Sequence, residues 1–234
     1  VEAEYTALRA FVVEAAAALH PPVLTLAYYP DGRQEAQLAP IASHLAAMHA
    51  MVYDAPHRHS TYDFAVRAAR QAAALLPAHK VTLGVPFYGR HMTTGEWRTY
   101  EDLAKLAEVR RNTSVDEADG YYFNNRAAMA RKGALARERG LGGVMIWEVG
   151  QDCRIAPVTR GGATHARTCA CSAADDLEAE VAAPPAADGA CYRSSLVHAL
   201  STGLLGEGGE EVPEGIRPGS ADDEPGLAEP KDEV

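Results

Sequence analysis

Short stretches rich in aromatic and hydrogen-bonding side chains stand at the ends of four apolar runs of this sequence. They are Tyr28-Tyr29, Tyr53-Asp54, Phe87-Tyr88-Gly89-Arg90 and Trp147-Glu148. Aromatic rings pack against the faces of sugars, while a few carboxylate, phenol and guanidinium groups fix the hydroxyls and amides. This combination of residue types is typical of a carbohydrate site, if the fold brings the four stretches together.

The elements that would position these stretches can be predicted from hydrophobic spacing. The apolar runs predict four buried β-strands, over residues 23–27, 48–53, 81–88 and 143–147. Helical spacing and capping residues predict helices over residues 5–19, 60–76, a short stretch after Thr99, and 126–139.

Strands that are apolar throughout and alternate with helices indicate an α/β protein built from parallel β/α units. Four units are half of a (β/α)8 barrel, and an open, doubly wound sheet is the structural alternative. In a barrel, catalytic residues lie at the carboxyl ends of the strands, which is where the four polar stretches stand.

The acidic character of the chain belongs to its last part. The formal net charge is −10, but residues 173–234 hold 15 Asp and Glu against three Lys and Arg, while residues 1–172 are nearly neutral. Residues 173–190 and 201–234 are rich in Ala, Gly, Pro, Asp and Glu, and hold too few apolar side chains to order themselves.

We therefore expect a folded domain over residues 1–157 and a Cys-containing, largely disordered acidic tail over 158–234. Within this tail, residues 194–204 could form one short helix. The charge balance argues against a nucleic-acid partner. No run of about 18 apolar residues indicates a membrane span.

The four cysteines all follow the last predicted strand, at Cys153, Cys169, Cys171 and Cys191. Clustered cysteines in a loop favour a disulfide in an oxidising compartment, and free thiols are the alternative. The Cys-x-Cys spacing does not match a zinc site. The pair His57-Arg-His59 has no third ligand nearby in the sequence, so we expect solvated loop histidines, no metal and no cofactor.

Three of the strand ends resemble motifs of glycoside hydrolase family 18, the chitinase-like family. Met51-Val-Tyr-Asp54 resembles Met-x-Tyr-Asp of the sixth barrel strand. Gly84-Val-Pro-Phe-Tyr-Gly-Arg90 resembles Gly-x-Pro-x-Tyr-Gly-Arg of the seventh, and Gly142-Gly-Val-Met-Ile-Trp-Glu148 resembles Gly-Gly-x-Met-x-Trp-Glu of the eighth. The motifs stand in the family's order over roughly residues 22–152. The chain is thus identified as the C-terminal half of such a barrel, about strands five to eight.

This resemblance implies a hydrolase of β-1,4-linked N-acetylglucosamine, in chitin or chitooligosaccharides, whose partner is that oligosaccharide. In this family the 2-acetamido oxygen of the substrate is the nucleophile. The resemblance implies that Tyr53 donates its hydroxyl to the acetamide oxygen and that Asp54 binds a hydroxyl or amide at or next to the scissile bond. It also implies these substrate-binding residues: Met51, Tyr88, Arg90 beside a neighbouring sugar, and Trp147 as the floor under the reacting ring.

The proton donor of the family is a Glu that ends the fourth strand, in the pattern Asp-x-x-Asp-x-Asp-x-Glu. Glu2 stands just before the helix that should follow that strand, so it is either this donor or an ordinary acid in the first helical turn. A protein of this fold without a donor would be a chitinase-like lectin. Because four strands leave open sheet edges, we expect the 234-residue chain alone to be inactive.

The cysteines favour a secreted protein or one of the secretory pathway. The last residues, Lys231-Asp-Glu-Val234, approach the endoplasmic reticulum retention signal Lys-Asp-Glu-Leu but differ at the final position, which receptors read. Retention is therefore the weaker expectation.

Overall fold

The computed structural model describes residues 2–19, 23–112, 114–153, 156–160, 163–167 and 195–206. The helices, in chain order, are α1 (Glu2–Ala18), α2 (Arg33–Leu38), α3 (Tyr62–Leu75), α4 (Tyr100–Ala104), α5 (Ala107–Arg111), α6 (Arg126–Glu138) and α7 (Leu196–Leu205). The strands are β1 (Thr25–Tyr28), β2 (Ala47–Met51), β3 (Val81–Pro86), β4 (Tyr88–His91), β5 (Trp97–Thr99), β6 (Glu117–Ala118), β7 (Tyr121–Tyr122), β8 (Gly143–Trp147), β9 (Ala156–Arg160) and β10 (Ala163–Arg167).

Strands β1, β2, β3 and β8 form one parallel sheet in that order. Each strand joins the edge formed by the strand before it, without the reversal of strand order that defines a doubly wound sheet. The winding is therefore that of a barrel segment, and the predicted parallel β/α units are confirmed.

The two faces of this sheet differ in what covers them. In β2, Met48 and Ala50 are buried in the core cluster that includes α3, whereas the alternating His49 and Met51 are half-buried. Helix α3 contributes the small buried side chains Ala65, Ala68, Ala69 and Ala72. One face therefore packs on helices, and the side chains of the other face, which would line a barrel, remain partly open.

A second, antiparallel sheet with the order β5-β4-β7-β6 is inserted in the chain between β3 and β8. The prediction of one strand over residues 81–88 was wrong at its end, because β3 stops at Pro86 and Tyr88 starts β4 in the other sheet. Only Phe87 separates the two strands, and all three residues are buried, so one apolar run covers both. Consequently, Tyr88 and Arg90 approach the main sheet from a separate layer.

A tight turn at residues 119–120 leads into a short strand of the inserted sheet. Asp119 and Gly120 have positive φ angles of 49° and 77°, and Tyr121-Tyr122 forms β7. This strand pairs with β4 through the register Arg90↔Tyr122. Strands of two residues are too short for hydrophobic alternation, so the pairing of this sheet could not be inferred from periodicity.

The predicted short helix in the tail is confirmed as α7, and Asp152 caps its start. One oxygen of the buried Asp152 accepts from the Leu196 amide at 2.9 Å, and the other from Ser195 Oγ at 2.6 Å and the Val197 amide at 3.1 Å. A carboxylate at a helix N-terminus satisfies free amides and complements the helix dipole. Asp152 therefore links the segment after β8 to the start of α7.

Other predictions about the tail fall largely outside the described residues. Most of the range 158–234 lies outside the described residues, including Cys169, Cys171, Cys191 and the terminal Lys231–Val234. The domain boundary at residue 157 therefore stays a prediction. Cys153 itself is disulfide-bonded, and its partner lies beyond the described residues. Among the described helices, none is both long and apolar enough to cross a membrane.

Helices α6 and α7 pack with their backbones in close contact. Gly133 of α6 faces α7, and Gly203 of α7 faces α6. A Cβ atom added to Gly203 would lie 1.9 Å from the carbonyl oxygen of Ala130, and one added to Gly133 would lie 2.4 Å from that of Leu200. Neither distance can be accommodated without separating the helices.

We expect Gly203→Ala to lower the free energy of unfolding by about 1–3 kcal/mol, because the methyl group overpacks this contact. Urea unfolding followed by circular dichroism measures the change. Gly150→Ala is the matched control, since its Cβ would meet no atom within 4 Å, and we expect a change within about 0.5 kcal/mol. Wild-type stability of Gly203→Ala would contradict the close helix contact.

Candidate functional site

The carboxylate of Asp54 is the centre of a hydrogen-bonded cluster at the carboxyl end of the parallel sheet. Its Oδ1 accepts a hydrogen bond from Tyr88 Oη at 2.8 Å and another from Arg90 Nη1 at 2.9 Å. Arg90 Nε also donates to the Gly95 carbonyl at 3.1 Å, which fixes the guanidinium plane. The cluster joins the end of β2 to the inserted sheet, and three residues from two predicted stretches thus meet at one point.

The backbone around Asp54 is turned sharply so that the side chain can reach this position. Asp54 has a φ of 63°, in the left-handed region that Asp tolerates better than most residues. The Ala55 amide donates to the His59 carbonyl at 3.1 Å, and the Asp54 amide faces His59 Nδ1 at 3.5 Å. The segment 53–59 is therefore a closed loop with Asp54 at its start.

Tyr53 lies beside this cluster and is almost fully buried, with 5% of its surface exposed. Its ring meets the ring of Tyr88 edge-on, with centroids 6.3 Å apart. Burial, together with the charge of Asp54, raises the pKa of Tyr53 to about 12. The hydroxyl therefore stays protonated at ordinary pH and can donate a hydrogen bond.

Trp147 ends β8, which lies two strands away from β2 in the parallel sheet, and the residue is 55% exposed. It pairs with Pro86 of β3, and its carbonyl accepts from the Phe87 amide at 2.9 Å. The Trp147–Glu148 peptide bond is cis. This exposed indole stands at the same carboxyl edge of the parallel sheet as the Asp54 cluster and is available to stack on a ligand.

The two remaining predicted site residues are placed differently. Met51 is half-buried at the end of β2, opposite Gly84 of β3, on the face that helices leave open. Glu2 lies in the first turn of α1, 72% exposed, and pairs with Arg9 at 2.7 Å. Within the described chain, no hydrogen bond or ion pair joins Glu2 to Tyr53, Asp54 or Trp147.

The expectation that both loop histidines are solvated was wrong for His59. His57 is exposed, but His59 is fully buried, with its ring 5.1 Å from that of Tyr88 and 5.9 Å from that of Tyr122. Burial lowers the pKa of His59 to about 4, with the charge of Asp54 opposing this shift and those of Lys132 and Arg90 contributing to it. His59 is therefore neutral near pH 7, and its Nδ1 faces the Asp54 amide as an acceptor.

Several residues around this loop were missed by the sequence reasoning. Arg58 forms an ion pair with Glu117 of β6 and lies 5.1 Å from the Tyr122 ring centre. The fully buried Lys132 of α6 donates to Ser60. One signal could have identified Lys132: it occupies the buried stripe of α6, with Met129 three residues before it and Leu135 three residues after it.

Metal binding has no support in the described part of the chain, where no three His, Cys, Asp or Glu side chains are grouped as ligands. The Asp54 cluster and Tyr53 instead supply a carboxylate, two phenols and a guanidinium, and the exposed indole of Trp147 stands at the same edge of the sheet. This arrangement can hold the hydroxyls and amide of a sugar while the indole packs on its ring.

The buried neutral His59 should make stability depend on pH. The unfolded chain binds a proton on this residue near pH 6.5 and the folded chain only near pH 4, so unfolding is favoured as pH falls through this window. Relative to His59→Phe, we expect the wild type to lose up to about 3 kcal/mol of unfolding free energy between pH 6.5 and pH 4.

Urea unfolding at several pH values measures the difference between the two proteins. The control is His57→Asn, at an exposed position whose positive φ Asn accepts, and it should keep the wild-type pH dependence. A constant difference between wild type and His59→Phe across the window would contradict the buried neutral state.

Comparisons with known proteins agree with this fold. The family model for glycosyl hydrolases family 18 matches residues 3–152. A GH18 chitinase, ChiB, from the chitin utilization locus of Flavobacterium johnsoniae is 27% identical, with a TM-score of 0.54 over 62% of this chain and 50% of that chain. Among curated proteins, none is significantly similar to this chain.

Two further chitinases share the fold. One from Bacteroides thetaiotaomicron is 17% identical, with a TM-score of 0.63 over 90% of this chain and 62% of that chain. A plant class V chitinase mutant from Cycas revoluta, solved in complex with (GlcNAc)3, is 22% identical, with a TM-score of 0.50 over 62% of this chain and 58% of that chain. This chain thus spans half to about three fifths of the chitinases that it matches.

These similarities confirm the predicted partial barrel of β/α units. The family match covers more than half of the chain and includes Met51, Tyr53, Asp54, Arg90 and Trp147. The chain therefore belongs to glycosyl hydrolase family 18.

Proposed function

We propose that this chain is the C-terminal half of the catalytic domain of an enzyme that cleaves β-1,4-linked N-acetylglucosamine, as in chitin or chitooligosaccharides. The observation that carries the proposal is the Asp54–Tyr88–Arg90 cluster with Tyr53 beside it. The chitinase mutant from Cycas revoluta was solved with (GlcNAc)3 bound, and this ligand supports the same substrate class.

The proposed reaction uses the substrate as its own nucleophile. The oxygen of the 2-acetamido group attacks the anomeric carbon, the glycosidic bond breaks, and an acid protonates the leaving oxygen. Water then opens the cyclic intermediate, and the configuration at the anomeric carbon is retained. Tyr53 donates its hydroxyl to the acetamide oxygen and so holds it in line with the carbon.

The other site residues bind the sugar around this centre. Asp54 accepts a hydrogen bond from a hydroxyl or the amide of the sugar at or next to the scissile bond. Arg90 has five N–H donors, so it can bind a neighbouring sugar as well as Asp54 and Gly95. Trp147 packs under the reacting ring, while Met51 and Tyr88 contribute to the wall of the site.

Tyr53→Phe should lower kcat by about 100-fold with a small change in KM, because the acetamide then loses its alignment. The assay uses p-nitrophenyl N,N′-diacetylchitobioside and the full-length protein, since we expect the 234-residue chain alone to be inactive. Tyr100→Phe is the control, because this tyrosine is equally buried but lies in the second core cluster. Wild-type kcat in Tyr53→Phe would contradict the mechanism.

The alternative function is a chitinase-like lectin that binds N-acetylglucosamine polymers without cleaving them. The exposed Glu2 pairs with Arg9 within its own helix, which counts against Glu2 as the proton donor, and a protein of this fold without a donor would be such a lectin. If Glu2 is the proton donor, Glu2→Gln should lower kcat by about 10² to 10⁴-fold and leave sugar affinity intact.

Glu4→Gln is the matched control for this substitution, two residues further along the same helix. Full activity in Glu2→Gln would assign the proton donor to another residue. A folded wild type that binds chitotriose but cleaves no chitooligosaccharide between pH 4 and 8 would establish the lectin instead.

We also propose that the protein enters the secretory pathway. The disulfide bond of Cys153 supports this, because such bonds persist mainly in oxidising compartments. Detection of the mature protein in the culture medium of the source cells tests the proposal, and exclusive recovery from the cytosol would overturn it.

A further inference from the structure

Lys132 is a fully buried lysine whose role the proposed reaction does not explain. Its Nζ donates to the carbonyl oxygen of Ser60 at 2.8 Å and to Ser60 Oγ at 2.7 Å. Lysine is almost never fully buried unless it is paired, because desolvation of an ammonium group is costly. Burial lowers the pKa of Lys132 to about 7.

Ser60 connects Lys132 to both ends of the loop that contains Asp54. Its hydroxyl donates to the Val52 carbonyl at 2.6 Å, immediately before Tyr53, and the residue itself follows His59 at the end of the loop. Its carbonyl also accepts from Asn124 Nδ2 at 3.0 Å. The start and the end of the segment 53–59 are thus held at one buried point.

The loop is also held from inside by His59. Its ring lies against Tyr88 and Tyr122, and its carbonyl accepts from the Ala55 amide at 3.1 Å. A shift of Ser60 would therefore displace His59, and with it the amides of Asp54 and Ala55.

We propose that Lys132 is a positioning residue for Tyr53 and Asp54, which acts by holding Ser60 and thereby both ends of the loop 53–59. The inference rests on the proposed function, since that function assigns Tyr53 and Asp54 to the substrate. Lys132 itself is buried beneath the loop and donates to Ser60, and the proposal gives it no contact with the sugar. Its effect on the reaction is transmitted through the loop.

A second lysine in the chain provides a matched control. Lys80 Nζ donates to the carbonyls of Ala42 and Leu45 at 3.0 and 2.9 Å, immediately before β3 and so at the opposite end of the sheet from Asp54. Lys80→Met removes a similar set of hydrogen bonds without touching the loop.

The direct test is hydrogen exchange of the peptide covering residues 53–61 in the full-length protein, by mass spectrometry. In Lys132→Met, we expect exchange at Ala55 to become at least about 10-fold faster, because local opening becomes easier. In Lys80→Met, this peptide should exchange as in the wild type. Wild-type exchange of the peptide in folded Lys132→Met would overturn the proposal.

The kinetic test asks whether Lys132 acts through Tyr53 and Asp54. Lys132→Met should lower kcat/KM by about 10-fold in the wild-type background, but by less than about 2-fold in the double variant Tyr53→Phe/Asp54→Asn, because Lys132 would act only through those two side chains. Equal losses in both backgrounds would show a general structural effect and overturn the proposal.

Failure of the proposed function can be distinguished from failure of this inference. If the wild type neither cleaves nor binds chitooligosaccharides, the proposed function fails, while the exchange measurement still decides whether Lys132 holds the loop. If Lys132→Met does not fold, Ser60→Ala replaces it, because this change removes only the hydroxyl. Faster exchange of residues 53–61 in Ser60→Ala would then support the proposal, and unchanged exchange would overturn it.

Discussion

The carboxylate of Asp54 is fixed by hydrogen bonds that come from a different sheet than its own backbone. Asp54 follows β2 of the parallel sheet, whereas Tyr88 and Arg90 belong to the inserted antiparallel sheet. The left-handed backbone of Asp54 costs about 1–2 kcal/mol, and the two hydrogen bonds to its carboxylate offset this cost. The position of this side chain therefore depends on how the two sheets meet.

Buried polar groups lie beneath the loop that carries Asp54. Lys132 and Asn124 hold Ser60, and His59 stays neutral in its pocket between Tyr88 and Tyr122. A neutral imidazole adds no charge next to Asp54, so the carboxylate keeps its pairing with Arg90. Groups that are oriented before a ligand arrives need no reorganisation when it binds, which is the usual physical basis of strong electrostatic stabilisation.

Features of the fold and the site that produce a local sequence pattern could be predicted. Features that depend on contacts between distant residues could not. Four apolar runs predicted the parallel strands, and the residues at the carboxyl ends of those runs included Tyr53, Asp54 and Trp147. The break at Phe87 and the pairing of β4 with β7 left no local pattern, because the pairing joins residues that are distant in sequence. The burial of His59 was missed for the same reason, since its neighbours Tyr88 and Tyr122 come from those two strands.

The central claim is that Tyr53, Asp54 and Trp147 surround one N-acetylglucosamine unit. A crystal structure of the full-length protein with a bound chitooligosaccharide tests it most directly. We expect the acetamide oxygen of one sugar to lie about 2.5–3.0 Å from Tyr53 Oη, with that sugar's ring packed on the Trp147 indole. An oligosaccharide bound elsewhere, or an acetamide group turned away from Tyr53, would contradict the account.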